Sequence, residues 1–201
     1  MVAPDLPSSD PTARLGRYVQ EVIEAISDRD DLVVVGQSLG GLIAPLVCDR
    51  VPSRLLVLVA AMIPAPGETG GEWWEATGQP DAAAHLARAQ GRDESKDFDP
   101  FEWFLHDVPT DIVEQSAAHV GEQSDGPFID PWPLSAWPSV PTRVIACRNG
   151  RMFPLEFMRR LSRERLGIEP VDIDSGHLPA LAAPDELTAV LERFRADLTA
   201  G

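Results

Sequence analysis

The chain has 201 residues and a formal net charge of −15, from 32 acidic and 17 basic side chains. Such an excess of negative charge argues against nucleic acid or an anionic membrane as a partner. Hydrophobic residues make up 44% of the chain and charged residues 24%, as is typical of one globular domain with a sizeable core. No apolar run approaches the roughly 18 residues of a membrane span, and no signal segment opens the chain. We therefore expect a cytoplasmic protein.

Before residue 63 the sequence predicts a helix, a strand, a second helix and a second strand. Asp10-Pro11 is typical of a helix start. The apolar positions that follow recur at helical spacing: Leu15, Tyr18, Val19, Val22, Ile23 and Ile26. Leu32–Val35 is apolar without interruption, and so are residues 55–60 of the segment Arg54–Ala60, which indicates strands of a parallel sheet with no solvated face. Pro45 lies inside the second predicted helix. This alternation predicts an α/β fold with right-handed crossovers.

From residue 63 to residue 138 the pattern changes, because prolines and tryptophans accumulate among short helical pieces such as Asp81–Gln90. A segment of this length exceeds a simple crossover between two strands. We expect a helical cap over the carboxyl edge of the sheet, with most of the tryptophans in the core of that cap. The predicted organisation is a partial α/β core over 1–62, a cap insertion over 63–138 and the rest of the core over 139–201.

In the last third, the predicted strand Thr142–Cys147 precedes a helix with Leu155, Met158 and Leu161 on one face. A short strand over Ile168–Ile173, a loop and a last helix starting near Pro184 follow. Cys48 and Cys147 lie in apolar segments, so buried free thiols are expected rather than a disulfide. No Cys/His spacing suits a metal site.

The strand Leu32–Val35 ends in Gly36-Gln37-Ser38-Leu39-Gly40-Gly41, and a helix follows. Gly-x-Ser-x-Gly between a strand and a helix is typical of a nucleophile elbow, which predicts that Ser38 is a catalytic nucleophile. We expect Gly36 and Gly40 to remove side chains where the strand and the helix nearly collide. The N–H of Leu39 is a candidate donor to the oxyanion.

His177 is the second candidate catalytic residue. It follows a glycine on a loop past a strand, and a histidine can take the proton of a serine hydroxyl. The other three histidines lie in the insertion, and His106 is the one that we expect to face a pocket. Gln37 and Trp73 are further candidate substrate contacts.

These motifs are similar to those of the α/β-hydrolase superfamily, close to its plant methyl esterases, hydroxynitrile lyases and their bacterial relatives. The resemblance rests on the elbow, on the junction Leu58–Glu68, on Val140–Ile145 and on Gly176-His177. It covers essentially the whole chain. It implies a Ser-His-acid hydrolase that cleaves small esters without a cofactor.

Two features depart from the pattern that the resemblance implies. The expected place of the acid, about four residues before Pro154, holds Gly150 beside Asn149, and neither is a carboxylate. Asp172, Asp174 or Glu68 are alternative acids. The family also has about three strands and an oxyanion loop before the equivalent of Ala3–Pro7. The predicted fold is therefore an α/β-hydrolase fold lacking its N-terminal strands.

These departures leave three functions open. The first is a serine esterase with Ser38 as nucleophile and His177 as base, impaired by the absent acid and oxyanion loop. The second is a catalytically impaired relative that binds a small ligand, and the third is a hydroxynitrile-lyase-like enzyme. Because the missing strands would flank Leu32–Val35, we expect either a natural chain that begins upstream of Met1 or a homo-oligomer formed through the exposed sheet edge.

Overall fold

The computed structural model describes residues 1–93 and 99–198, so five residues of the predicted insertion and the last three residues lie outside the described part. The chain divides into two compact units. The first comprises Met1–Trp73 and Gly121–Thr142, and the second comprises Trp74–Val120 and Arg143–Gly201. The predicted insertion over 63–138 contributes to both units, and a separate cap domain stays a prediction.

The helices in chain order are α1 (Leu15–Ile26), α2 (Gly40–Arg50), α3 (Gly70–Thr77), α4 (Gln79–Ala89), α5 (Pro100–Trp103), α6 (Thr110–Ser116), α7 (Gly126–Ile129), α8 (Leu155–Leu166), α9 (Pro179–Ala182) and α10 (Pro184–Asp197), with a 3-10 turn at Ala117–His119. The strands are β1 (Leu32–Gln37), β2 (Ser53–Val59), β3 (Thr142–Cys147) and β4 (Val171–Ile173). Across the described ranges, no helix is long and apolar enough to cross a membrane.

The four described strands belong to one sheet in the order β1-β2-β3-β4. β1 and β2 run parallel, with Val33 opposite Leu55 and Gln37 opposite Val59. β3 and β4 also run parallel, with Ile145 opposite Val171. Parallel strands separated by helices confirm the predicted α/β class.

Helix α1 begins later than the sequence predicts. Its first residue is Leu15, and the predicted start at Asp10-Pro11 is wrong. The Asp10 carboxylate instead accepts hydrogen bonds from the Thr12 backbone N–H (2.8 Å) and hydroxyl (2.7 Å), which closes a turn before the helix. The predicted apolar face is real, since Leu15, Tyr18 and Val19 are buried. The hydroxyl of Tyr18 donates to the Pro7 carbonyl at 3.2 Å, so its burial leaves no unpaired donor.

The two strands of the first unit differ in burial. Residues 55–59 of β2 are each at most 1% exposed, which confirms a strand covered on both faces. In β1 the side chain of Val35 is 46% exposed, so the prediction that this strand has no solvated face is wrong there. β1 is the first strand in the sheet order, and within the described residues only β2 pairs with it. A strand at the edge of a sheet is covered less completely than an inner strand.

β4 is shorter than the predicted strand over Ile168–Ile173. Gly167, with φ at 68°, ends α8 in the left-handed conformation. The Ile168 carbonyl accepts a hydrogen bond from the Ser162 hydroxyl at 2.7 Å, which ties this residue to the end of α8. Pro170 has no N–H to donate to a neighbouring strand, so pairing starts only at Val171.

A groove of about 830 Å³ borders β1. Apolar side chains of β1, α1, α2 and the first residues line it, among them Val2, Val22, Val34, Val35 and Ile43. An apolar strand at a sheet edge can pair with a strand of another chain. We therefore expect two copies of the chain to associate through β1.

A charge on this edge should weaken that association. We expect Val35→Lys to shift the sedimentation coefficient towards the monomer, because a lysine on an edge strand opposes pairing. Ile129→Lys is the matched control, since Ile129 is similarly exposed (52%) but lies in α7. A wild-type chain that sediments as a monomer at high protein concentration would contradict the expectation.

Candidate active site

The chain passes from β1 to α2 through Ser38. This residue has φ at 53°, in the left-handed region that residues other than glycine rarely adopt. Its N–H donates to the Val59 carbonyl at 3.2 Å, and its carbonyl accepts from the N–H groups of Gly41 (3.0 Å) and Met62 (2.9 Å). Backbone strain of this kind costs about 1–3 kcal/mol and persists only where the surroundings hold it. Here three hydrogen bonds hold the strained residue at the start of a helix.

Two glycines allow the strand and the helix to approach this closely. A Cβ added to Gly36 would lie 2.6 Å from the Gly40 carbonyl oxygen and 2.8 Å from the Ala44 Cβ. A Cβ added to Gly41 would overlap the carbonyl oxygen of Met62. A Cβ on Gly40 would meet no atom within 4 Å. The role predicted for Gly36 is therefore supported, whereas the one predicted for Gly40 is wrong. Gly41 is the second glycine that allows a close approach, because its position on α2 faces the segment after β2.

Leu39 and Gln37 flank the serine in the same unit. Leu39 is the N-cap residue of α2, with φ −51° and ψ −29°. The N–H groups at a helix start carry partial positive charge, which suits a donor to an anion. Gln37 is the last residue of β1 and is half-buried. Their predicted roles as oxyanion donor and substrate contact stay predictions.

Trp73 is a packing residue in this structure. Its side chain has no exposed surface, and its indole N–H donates to the Ile63 carbonyl at 3.0 Å. The role of Trp73 as a substrate contact stays a prediction, and in this conformation the ring is covered by its own unit. Trp132 and Trp137 of the same unit also donate to backbone carbonyls, those of Leu42 and Pro64.

His177 lies in the second unit, on the loop between β4 and α9. It is 2% exposed, and its ring stacks on Phe104 (4.9 Å between centroids) and meets Phe153 edge-on (5.2 Å). Burial among these rings lowers the pKa of the imidazole to about 4. The ring is therefore neutral at pH 7, which is the form that can accept a proton.

His106 lies beside the same loop, in the segment between α5 and α6. A Cβ on Gly176 would lie 2.9 Å from its Cε1 atom, and its imidazole hydrogen-bonds to the backbone of Asn149. Burial, and then the positive charge of Arg151, lower the pKa of this imidazole. The structure thus brings His106 close to the residue that precedes His177. Its role as a substrate contact stays a prediction.

Asp107 is a residue of this loop environment that the sequence did not single out. Its Oδ2 accepts a hydrogen bond from the N–H of Gly176. The only sequence signal was its place next to His106, since no motif marks an acid in a segment between two strands.

No carboxylate occupies the position predicted for the acid at the end of β3. The Asn149 side chain donates to Asp174 at 2.9 Å. A Cβ on Gly150 would lie 2.6 Å from the Phe153 carbonyl oxygen. An aspartate at 150 would therefore need the loop to shift, although the φ of Gly150 lies outside the left-handed region.

The candidate residues fall into both units. Gln37, Ser38 and Leu39 lie together at the turn in the first unit, and in the second unit His106 lies close to Gly176, the residue before His177. Over 1–93 and 99–198, no group of three His, Cys, Asp or Glu side chains is arranged to hold a metal ion.

The glycines at the turn give a direct test of its packing. Gly41→Ala should lower the free energy of unfolding by at least about 1–3 kcal/mol, because the new methyl group collides with backbone that cannot move aside. Gly40→Ala is the matched control and should be neutral or stabilising by up to about 1 kcal/mol, since alanine favours helices. Urea denaturation measures both. Equal free energies of unfolding for the two variants would contradict the close contact between α2 and the backbone of Met62.

The buried His177 should make the protein less stable in acid. Its pKa falls from 6.5 to about 4 on folding, so the unfolded chain binds a proton first as the pH decreases. Stability is full above pH 6.5 and falls between pH 6.5 and 4, by roughly 3 kcal/mol from this group. His177→Gln removes that component, so the wild type should lose more stability than the variant across this range in denaturant titrations. Parallel losses in both proteins would contradict the burial of a neutral imidazole.

Comparison with solved structures shows the same fold in several enzymes. A pyrethroid hydrolase from Sphingobium faniae JZ-2 superimposes with a TM-score of 0.70 at 19% identity, over 96% of this chain and 84% of that chain. Polyneuridine aldehyde esterase gives 0.67 at 16% identity, over 96% and 86%. A methylesterase from Arabidopsis gives 0.66 at 18% identity, over 93% and 80%. At these identities the likeness establishes the fold alone.

No curated protein matches the chain. The profile described as the alpha/beta hydrolase family matches residues 1–190, nearly the whole chain. The resemblance seen in the sequence is thereby confirmed. The chain belongs to the alpha/beta hydrolase family.

Proposed function

We propose that the protein is a serine hydrolase that cleaves small carboxylic esters, with Ser38 as the nucleophile and His177 as the base. The observation that carries the proposal is the left-handed backbone of Ser38 at a strand-to-helix turn. Such strain is retained where a side chain must stand clear of the backbone. Structural neighbours that are named as esterases support the choice of substrate class.

The reaction uses two side chains, one backbone N–H group and a water molecule. The Ser38 hydroxyl oxygen attacks the ester carbonyl carbon while His177 takes the hydroxyl proton, and the negative charge moves to the carbonyl oxygen. The Leu39 N–H at the start of α2 stabilises that oxyanion. As the tetrahedral intermediate collapses, the alcohol leaves with the proton from His177, and the acyl group remains on Ser38. Water then attacks the acyl group, passing a proton through His177 to Ser38, and the carboxylic acid is released.

The neutral state of His177 suits this role, because only the unprotonated ring can take the serine proton. Its low pKa also predicts a weak base, so turnover should be slow in comparison with efficient esterases.

The two cysteines are free thiols, which fits the reducing cytoplasm that we infer as the location of the protein.

A second candidate function is binding of a small ligand without turnover. The absence of a carboxylate at Asn149 and Gly150 favours it, because a histidine without an acid partner activates serine poorly. Ligand binding and catalysis separate in one experiment, since only catalysis depends on the Ser38 hydroxyl.

Hydrolysis of a short-chain nitrophenyl ester should fall at least about 100-fold in kcat/KM in Ser38→Ala, because the reaction loses its nucleophile. Ser116→Ala is the matched control, since Ser116 lies on α6 and its hydroxyl donates to the Val113 carbonyl at 3.0 Å. Hydrolysis that is equal in Ser38→Ala and the wild type would contradict the esterase proposal. It would favour the binding function.

A further inference from the structure

The carboxylate of Asp107 is held by one oxygen only. Its Oδ2 accepts a hydrogen bond from the N–H of Gly176, while its Oδ1 is buried and accepts none. A buried carboxylate oxygen without a hydrogen-bond donor lowers the stability of the folded state, above all when the group is charged. Proteins retain few such groups, and those that remain often serve a function. The free oxygen of Asp107 therefore needs an explanation.

The position of this oxygen suggests one. A Cβ added to Gly176 would overlap Oδ1 of Asp107, so the carboxylate lies against the backbone of the residue that precedes His177. Its charge is also felt at the end of β3, where it contributes to the raised pKa of the Cys147 thiol, although burial is the larger cause. Asp107 thus lies against the histidine loop, and its charge acts as far as Cys147 at the end of β3.

We propose that Asp107 is the acid that positions His177, with Oδ1 as the acceptor for the Nδ1–H of the imidazole during turnover. The inference rests on the proposed esterase function. Oδ2 keeps its hydrogen bond to Gly176 and fixes the carboxylate, so that Oδ1 remains available. Catalytic hydrogen bonds are often long or poorly aligned before substrate binds and tighten in the complex.

In this role Asp107 stays ionised and takes no proton. It holds the imidazole in the tautomer that presents Nε2 to the serine, and it stabilises the imidazolium formed when Ser38 loses its proton. A nearby negative charge also raises the pKa of a histidine. In the structure as it stands burial alone lowers the pKa of His177, and Asp107 strengthens this base once the hydrogen bond forms.

The other candidate acids are engaged elsewhere. Asp172 forms ion pairs through its Oδ2 with Arg159 and, at 3.6 Å, with Arg148. Its Oδ1 is also buried without a hydrogen bond, but these two guanidinium groups neutralise its carboxylate. Asp174 is exposed, and its Oδ1 accepts from the Asn149 side chain at 2.9 Å. Glu68 accepts from the Ala65 N–H at 3.0 Å in the first unit.

The test compares Asp107→Asn with Asp174→Asn in the full chain. The asparagine at 107 keeps an oxygen for the Gly176 N–H but loses the charge, so the melting temperature should change little. We expect kcat for the nitrophenyl ester to fall about 10²–10⁴-fold in Asp107→Asn with little change in KM, by analogy with an amide in place of a triad acid. Asp174→Asn should retain kcat within about twofold, because its carboxylate is exposed and tied to Asn149. Asp107→Glu restores the carboxylate and should recover part of the loss.

Proton NMR provides a readout that needs no turnover. With a fluorophosphonate bound as a mimic of the charged intermediate, the Nδ1–H of His177 should give a resonance downfield of the amide region. His177→Gln and Asp107→Asn should each abolish this resonance, and Asp174→Asn should leave it in place.

Three results would overturn the proposal. One is a kcat of Asp107→Asn equal to that of the wild type, above all if Asp174→Asn is the variant that loses activity. Another is the retention of the downfield resonance in Asp107→Asn. The third is that the wild type has no downfield resonance that is lost in His177→Gln. This result overturns the proposal even if Asp107→Asn fails to fold. Absence of any Ser38-dependent hydrolysis would instead contradict the esterase function. In that case the same spectra, recorded on the unmodified protein, still test the contact between Asp107 and His177.

Discussion

The backbone at Ser38 is the constraint on which the rest of the proposed chemistry depends. The residue is held in the left-handed conformation by its hydrogen bonds to Val59, Gly41 and Met62, which belong to the end of β2, the start of α2 and the segment after β2. The strain at one residue is thus offset by contacts from three directions. The backbone conformation of the turn therefore depends on the positions of β2 and α2.

This constraint explains the pattern of small residues around the turn. Met62 can donate to the Ser38 carbonyl only because α2 approaches the chain after β2 without a side chain at Gly41. Gly36 likewise allows a close approach, because a side chain there would collide with Gly40 and Ala44. Residues 55–59 of β2 are buried, so the acceptor at Val59 is fixed by the core of the first unit. The packing of β2 and α2 therefore also determines the backbone conformation of Ser38.

Features set by local sequence were predictable. The apolar runs within β2 and β3 and the helical spacing of α1 and α8 identify these elements, because burial of a strand or of a helix face leaves a pattern in the sequence. Ser38 was found for a similar reason, since the strand, the motif and the helix are contiguous. These features account for the fold class and for the place of Ser38 at the turn between β1 and α2.

Features set by contacts distant in the chain were not predictable. The exposure of Val35 depends on which elements cover β1, and the packing role of Gly41 depends on how α2 is rotated against Met62. Asp107 lies 69 positions before Gly176, to which it bonds, and no spacing rule connects a residue between α5 and α6 with the histidine loop. The sequence showed that an acid was missing at Gly150. Only the fold shows which carboxylate lies nearby.

The most direct measurement of the central claim is the site of covalent labelling by a fluorophosphonate, mapped by peptide mass spectrometry. If the turn presents Ser38 as a nucleophile, the folded protein should carry the label at Ser38 alone, and the urea-unfolded chain should carry none. The strained backbone and its helix are what distinguish this serine from the others, and both disappear on unfolding. Labelling of a different residue, or equal labelling of Ser38 in the folded and unfolded chains, would contradict the account.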